Sequence, residues 1–170
     1  MKIQKQVKVI VIALFVVFQI SVFGQTLNEN LKFLEPLLGK NWVGDMNSPD
    51  GKKSFKVTLT YESMWNGTVV KFSRSNPELN FFTEGYIYWD DETKRLLLFS
   101  ISSRGGAEKG DVTFEEGKLT IKGNTTMMGK TFDYKNTFEF TPDGKMIDRW
   151  FQNAFGPWKA GHVIEFKRVN

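Results

Sequence analysis

Leu34-Glu35-Pro36-Leu37-Leu38-Gly39-Lys40-Asn41-Trp42-Val43-Gly44 is the stretch where one hydrophobic period gives way to another. Upstream, Leu27, Leu31, Leu34, Leu37 and Leu38 recur at three- and four-residue steps, which predicts one short amphipathic helix. Pro36 and Gly39 limit how far it runs. Downstream the step becomes two. Phe55, Val57, Leu59 and Tyr61 alternate with Lys56, Thr58, Thr60 and Glu62, and Phe132, Tyr134, Asn136, Phe138 and Phe140 alternate with Thr131, Asp133, Lys135, Thr137 and Glu139. Such runs are strands with one buried and one solvated face.

The punctuation between runs is regular. Pro49-Asp50-Gly51-Lys52, Asn66-Gly67, Asp90-Asp91-Glu92-Thr93, Glu116-Gly117 and Pro142-Asp143-Gly144-Lys145 each separate two strand-like segments, as tight hairpin turns do. The pattern predicts about ten strands, at 40–46, 54–65, 68–74, 80–89, 94–102, 107–115, 118–123, 130–141, 145–153 and 160–169. With no second helical segment, βαβ folds are excluded. Sequential hairpins on this scale predict an all-β fold, a closed up-and-down antiparallel barrel whose closure removes exposed edges. Two segments interrupt the alternation. One is glycine-rich, 102–110; the other, 123–129, reads as a longer loop carrying Met127 and Met128 and, with the first, as a rim for a ligand mouth.

Residues 1–24 read as a secretory signal. Lys2, Lys5 and Lys8 precede the apolar run Val9–Phe18, and Val22 and Gly24 supply modest side chains before a cut at Gln25. The run is shorter than the roughly 20 residues a bilayer span needs. Removing 24 of the 170 residues leaves a 146-residue single domain, 25–170, and takes the net charge from +4 to +1. No Lys/Arg block then remains to hold nucleic acid or an anionic membrane by charge. The expected setting is a secreted protein of a bacterial periplasm or cell surface, with no membrane span after cleavage. Absence of cysteine excludes a disulfide framework, thiol catalysis and Cys-ligated metal. Of the 25 Phe, Trp and Tyr residues, 22 lie after the signal, enough either to fill a core or to line a pocket for a flat ligand.

In layout the chain resembles calycin-type barrels. Lipocalins open with a helical turn and Gly-x-Trp; here Gly39-Lys40-Asn41-Trp42 is one residue longer. Trp42-Val43-Gly44 is similar to the Trp-x-Gly of nitrobindin-like, ten-stranded haem barrels and to small secreted bacterial barrels of unknown function. In an even-stranded closed barrel the first and last strands are antiparallel neighbours. Trp42 therefore lies beside Arg168, whose guanidinium over the indole would seal that end for about 0.5–2 kcal/mol. On the last strand Ala160, His162, Ile164, Phe166 and Arg168 share one parity, and Ile164 and Phe166 make it the inward one. His162, the one histidine, then points into the barrel near the mouth opposite Trp42. A histidine there resembles the proximal haem ligand of nitrobindin-like proteins, and that resemblance implies haem as a cofactor with His162 as its metal ligand.

Other chemistry lacks its residues. One histidine without cysteine cannot build the usual zinc sites. There is no Gly-x-Ser-x-Gly elbow and no glycine-rich phosphate loop, so no catalytic residue is assigned. Phe55, Leu59, Tyr61, Phe72, Phe132, Tyr134, Phe138, His162 and Ile164 are the expected lining of a ligand chamber. Arg149 and Glu84 sit on strands apolar on both faces, so parity leaves their direction open. An inward Arg149 would meet a ligand carboxylate, as arginines do in fatty-acid-binding barrels; a buried Glu84–Arg149 pair is the alternative. Three readings follow: a non-catalytic binder of a small hydrophobic or flat molecule, a nitrobindin-like haem protein, or a structural or protein-interaction module with a filled core.

Overall fold

The computed structural model describes residues 26–127, 129–154 and 156–169. The proposed signal at 1–24 and the methionine at 128 therefore lie outside the described residues. Ten antiparallel strands follow in chain order: β1 (Asn41–Asn47), β2 (Ser54–Met64), β3 (Val69–Asn76), β4 (Phe81–Asp90), β5 (Arg95–Ser102), β6 (Ala107–Glu115), β7 (Lys118–Met127), β8 (Lys130–Phe140), β9 (Met146–Gln152) and β10 (Lys159–Val169). Each pairs with its sequence neighbours, and β1 pairs with β10 to close the barrel. The up-and-down cylinder read from the turn spacing is thus the fold. The expected loop at 123–129 is corrected: β7 continues to Met127, and Thr125 and Thr126 pair with Phe132 and Thr131 on β8.

The leucine repeat before β1 forms a 3-10 helix, Glu29–Leu37. With three residues per turn, Leu31, Leu34 and Leu37 fall on one stripe, and all three are fully buried. Each such side chain contributes about 1.5–3 kcal/mol by leaving water. The helix covers one end of the barrel. Backbone bonds from Asn28 N–H to the Gly67 carbonyl (2.9 Å) and from Gly39 N–H to the Tyr61 carbonyl (3.1 Å) tie it down, and Phe33 stacks on Phe114 of β6 with centroids 4.8 Å apart. The Asn28 side chain caps the helix by accepting from Asn30 N–H at 2.9 Å. Replacing it, Asn28→Ala, is expected to cost about 1 kcal/mol, read as a lower urea midpoint.

Trp42 is buried at this closed end and faces Arg168 across the β1–β10 seam, as the closure geometry requires. The cation–π contacts among the described residues join Arg104 to Phe81 and Lys109 to Phe99 instead, and Arg168 itself is exposed. The seal there is the leucine stripe, not a guanidinium over the indole.

One irregularity matters for the site. Between Ala160 and Val163 the β9–β10 register shifts by one residue. The pairs on either side, Ala160 with Phe151 and Val163 with Arg149, leave both Gly161 and His162 opposite Trp150, which is a β-bulge. Expected parity therefore holds from His162 onward but not before it. Ala160 is exposed beside Phe151 rather than on the face of His162.

Candidate functional site

Inward residues follow the pleat: Leu59 and Tyr61 on β2, Phe72 and Arg74 on β3, Tyr134 and Phe138 on β8, Trp150 on β9. At the end opposite the helix they enclose a cavity of about 280 Å³. Leu79, Arg104 and Met127, next to the β3–β4, β5–β6 and β7–β8 connections, form part of its rim. Six of the expected lining residues reach it: Leu59, Tyr61, Phe72, Tyr134, Phe138 and His162. Phe55 and Phe132 are half-buried and outside the lining, and Ile164 is packed in the solid core.

Arg149 requires a correction. It pairs with Thr137 and the exposed Val163 on the outer face, and its guanidinium donates to Glu139 at 3.0 Å. Glu84 also lies outside, holding Lys71 at 2.8 Å and accepting from the Tyr86 hydroxyl. Neither enters the cavity, and the two do not pair with each other. The reason is hairpin phase. Phe140 pairs with Met146 and Phe138 with Asp148, so the inward side chains of β9 are Met146, Asp148 and Trp150.

That phase places a carboxylate in the core. Asp148 is 0% exposed. Its Oδ2 accepts from Arg74 Nη1 at 3.1 Å and lies 3.1 Å from His162 Nε2, while Asn136 Nδ2 donates to its other oxygen. Burial opposes ionisation, but the Arg74 charge and the hydrogen bonds from His162 and Asn136 hold the carboxyl below its ordinary range. Arg74 Nη2 also approaches His162 Nε2, at 3.2 Å. Nε2 can serve one of these contacts at a time: with a proton it donates to Asp148, without one it accepts from Arg74. The Trp150 ring stacks on the imidazole at 5.9 Å and 6°. Gly161 makes that stack feasible, because a Cβ there would overlap the Trp150 ring.

Glu108, on β6, lines the cavity and accepts from Ser100 Oγ at 3.0 Å. Burial pushes its carboxyl up, with Ser100 and Arg74 opposing. Burial likewise pushes the phenols of Tyr61 and Tyr134 up, so both stay protonated at neutral pH. The chamber therefore has mostly apolar and aromatic walls and a polar cluster of Arg74, Asp148, His162, Glu108 and Asn136.

Sequence reasoning missed four members of that cluster. Arg74 shares the parity of Phe72, but a lone arginine on a strand reads as solvated. Asp148 and Asn136 follow from the hairpin phase set by Phe138 and Phe140. Glu108 sits in a glycine-rich run whose alternation is too weak to read.

Iron bound at His162 Nε2 would have to displace two contacts that this arrangement makes. Iron needs a ring-nitrogen lone pair, and His162 Nε2 is held between Asp148 and Arg74 with its plane fixed by Trp150. Among the described residues no group of three or more His, Cys, Asp or Glu could hold a metal ion.

Fold and site together define a closed β-barrel with an internal chamber whose largely apolar walls carry one buried ionic cluster and a few further polar groups, Asn76, Thr83 and Tyr134 among them. No family model matches the chain, and no curated protein does either. Among solved structures, the crystal structure of Rv2717c from M. tuberculosis is similar to it: TM-score 0.56, 12% sequence identity, covering 85% of this chain and 100% of that one. At that identity the likeness shows the shared barrel fold alone.

Proposed function

We propose that this barrel binds a small, largely apolar or flat molecule inside its chamber and performs no chemistry on it. The observation that carries this reading is the cavity of about 280 Å³, walled by Leu59, Tyr61, Phe72, Phe138 and Trp150, in a core that would otherwise be solid. Interiors of folded proteins are close-packed, so an open chamber of this size forgoes packing contacts that a guest molecule would supply. A concave, apolar site with a few convergent polar groups is the usual form of a small-molecule pocket. The solid-core interaction module is disfavoured by the same chamber, and iron at His162 Nε2 would have to displace Asp148 and Arg74 from that nitrogen.

The reading includes export. Residues 1–24 have the charge and hydropathy layout of a secretory signal, and the ligand would be met in a periplasm or at a cell surface. Among the described residues no helix is long and apolar enough to cross a membrane. The small secreted bacterial barrels with a Trp-x-Gly start are the group whose layout this proposal follows.

The test is uptake of N-phenyl-1-naphthylamine, a neutral probe that brightens and shifts to the blue in apolar surroundings. Saturable uptake at one site per chain is expected. Thr83, which lines the cavity on β4 and is only partly buried, can be enlarged without disturbing the core. Thr83→Trp is expected to weaken uptake at least tenfold while leaving the melting temperature within a few degrees. No saturable uptake by the wild-type protein would end the proposal.

A further inference from the structure

Two buried polar groups in this chamber have no partner within the protein. Asn76 Nδ2 and the Tyr134 hydroxyl are buried without a hydrogen bond, and both residues are 2% exposed and line the cavity. The orientation of Asn76 is set by its neighbour: Oδ1 accepts from Leu79 N–H at 3.2 Å, which turns the amide hydrogens elsewhere. A buried donor left unsatisfied loses the hydrogen bonds it made to water. Asn76 is on β3 and Tyr134 on β8, five steps apart either way round the ten-stranded ring, so they face the chamber from opposite walls. Both can donate to an oxygen that enters from outside.

The charge of that guest follows from the cluster. The cationic side chains lining the cavity, apart from His162, are Arg74 and Arg104. Arg74 is already matched by the fully buried Asp148, with His162 against the same pair. An anion near Arg74 would compete with Asp148 and face Glu108 from the β6 wall. It would also surrender its own hydration with no free cation to replace it. Arg104 is at the mouth, exposed, and donates to the Leu79 carbonyl at 2.8 Å, so its charge is screened by water.

Building on the binding reading above, we infer that the chamber takes an uncharged, flat or apolar molecule carrying a hydrogen-bond-accepting oxygen, as in a ketone, ester or amide. Asn76 and Tyr134 are the donors on the two walls, one of which meets that oxygen according to which way the molecule lies, and carboxylates are rejected. This reverses the role first considered for an interior arginine. Arg74 is occupied in holding the barrel together, and specificity comes from two neutral donors.

Three probes of matched shape separate the possibilities: 2-acetonaphthone, 2-naphthoate and 2-ethylnaphthalene, each titrated against bound N-phenyl-1-naphthylamine. The ketone is expected to displace the reporter at least tenfold more effectively than the carboxylate and about 3- to 10-fold more than the hydrocarbon, the worth of one hydrogen bond. Tyr134→Phe removes a hydroxyl that has no protein partner, so folding should be unaffected. Asn76→Asp keeps the acceptor for Leu79 N–H and removes the amide donors. At least one of the two variants should erase the ketone's advantage over the hydrocarbon while leaving hydrocarbon binding unchanged. Naphthoate binding as tightly as the ketone would overturn the inference, as would equal binding of all three probes or a ketone preference that survives in both variants. Failure of the reporter itself to bind would instead strike at the binding reading, a result separable from these.

Discussion

Asp148→Ala is expected to destabilise the protein by about 3–5 kcal/mol, the range for removing one partner of a buried ion pair. The carboxylate is fully buried, and its loss leaves the Arg74 guanidinium without its counter-charge and takes one partner each from Asn136 and His162. For a domain of this size that corresponds to a fall in melting temperature of roughly 10 °C or more. The double variant Arg74→Met, Asp148→Leu should recover much of the loss, because apolar replacements of similar volume leave no charge unpaired. Acid titration gives a second readout. The Asp148 carboxyl titrates below its ordinary value of 3.8 in the folded state, so its contribution is complete above the unfolded carboxylate pKa and disappears as pH falls through the lower folded one. Wild-type stability should therefore drop on acidification below about pH 4. The Asp148→Ala protein should show a shallower slope in that window. An equal slope in both would mean the pair is not what acid breaks.

Gly123→Ala is expected to cost about 3 kcal/mol, the upper part of the range for overpacking. Gly123 faces Gly110 across β6 and β7, with Tyr134 beside it on β8. A Cβ at 123 would overlap the Lys109 carbonyl oxygen and the Gly110 Cα, which are backbone atoms that cannot swing aside. The reciprocal change overlaps less but is not free. A Cβ at Gly110 meets the Lys122 carbonyl oxygen, also a backbone atom, at 2.8 Å and Ile121 Cγ2 at 3.1 Å, both farther off than the closest approach at Gly123. Urea unfolding should show a clearly lower midpoint for Gly123→Ala than for Gly110→Ala at unchanged slope. Equal midpoints would refute the asymmetry of this pinch.

The fold was legible because the strands carry their own phase. Phe55-x-Val57-x-Leu59-x-Tyr61 can bury one face only, and tight turns at Asn66-Gly67 and Glu116-Gly117 leave hairpins as the sole connection. The strands extend beyond expectation where alternation is polar: Gly123–Met127 reads as a loop by composition but pairs with β8 and, as far as Thr126, with β6, because ladder bonds satisfy its backbone whatever its side chains are. The site was legible only on its apolar side. Lining residues such as Tyr134 and Phe138 announce themselves by hydrophobicity. Arg74, Asp148 and Glu108 do not, since a lone charged residue reads as solvated until its partner across the barrel is known. Pairing Arg74 with Asp148 joins positions 74 residues apart on strands that are not neighbours, and no local window contains both. Ala160 was misplaced for a related reason, because a one-residue bulge reverses parity without any mark that alternation could register.

The seam between β1 and β10 also dictates the order in which the molecule can be completed. Asn41 stands opposite Val169, so the strand that opens the domain waits for the strand that ends it. Contacts so distant along the chain form slowly. Until then both terminal strands present bare backbone to any other extended chain nearby. A polypeptide made from its amino end would spend that interval as an unsealed ribbon, dependent on prompt delivery of its last eleven-residue strand to escape self-association.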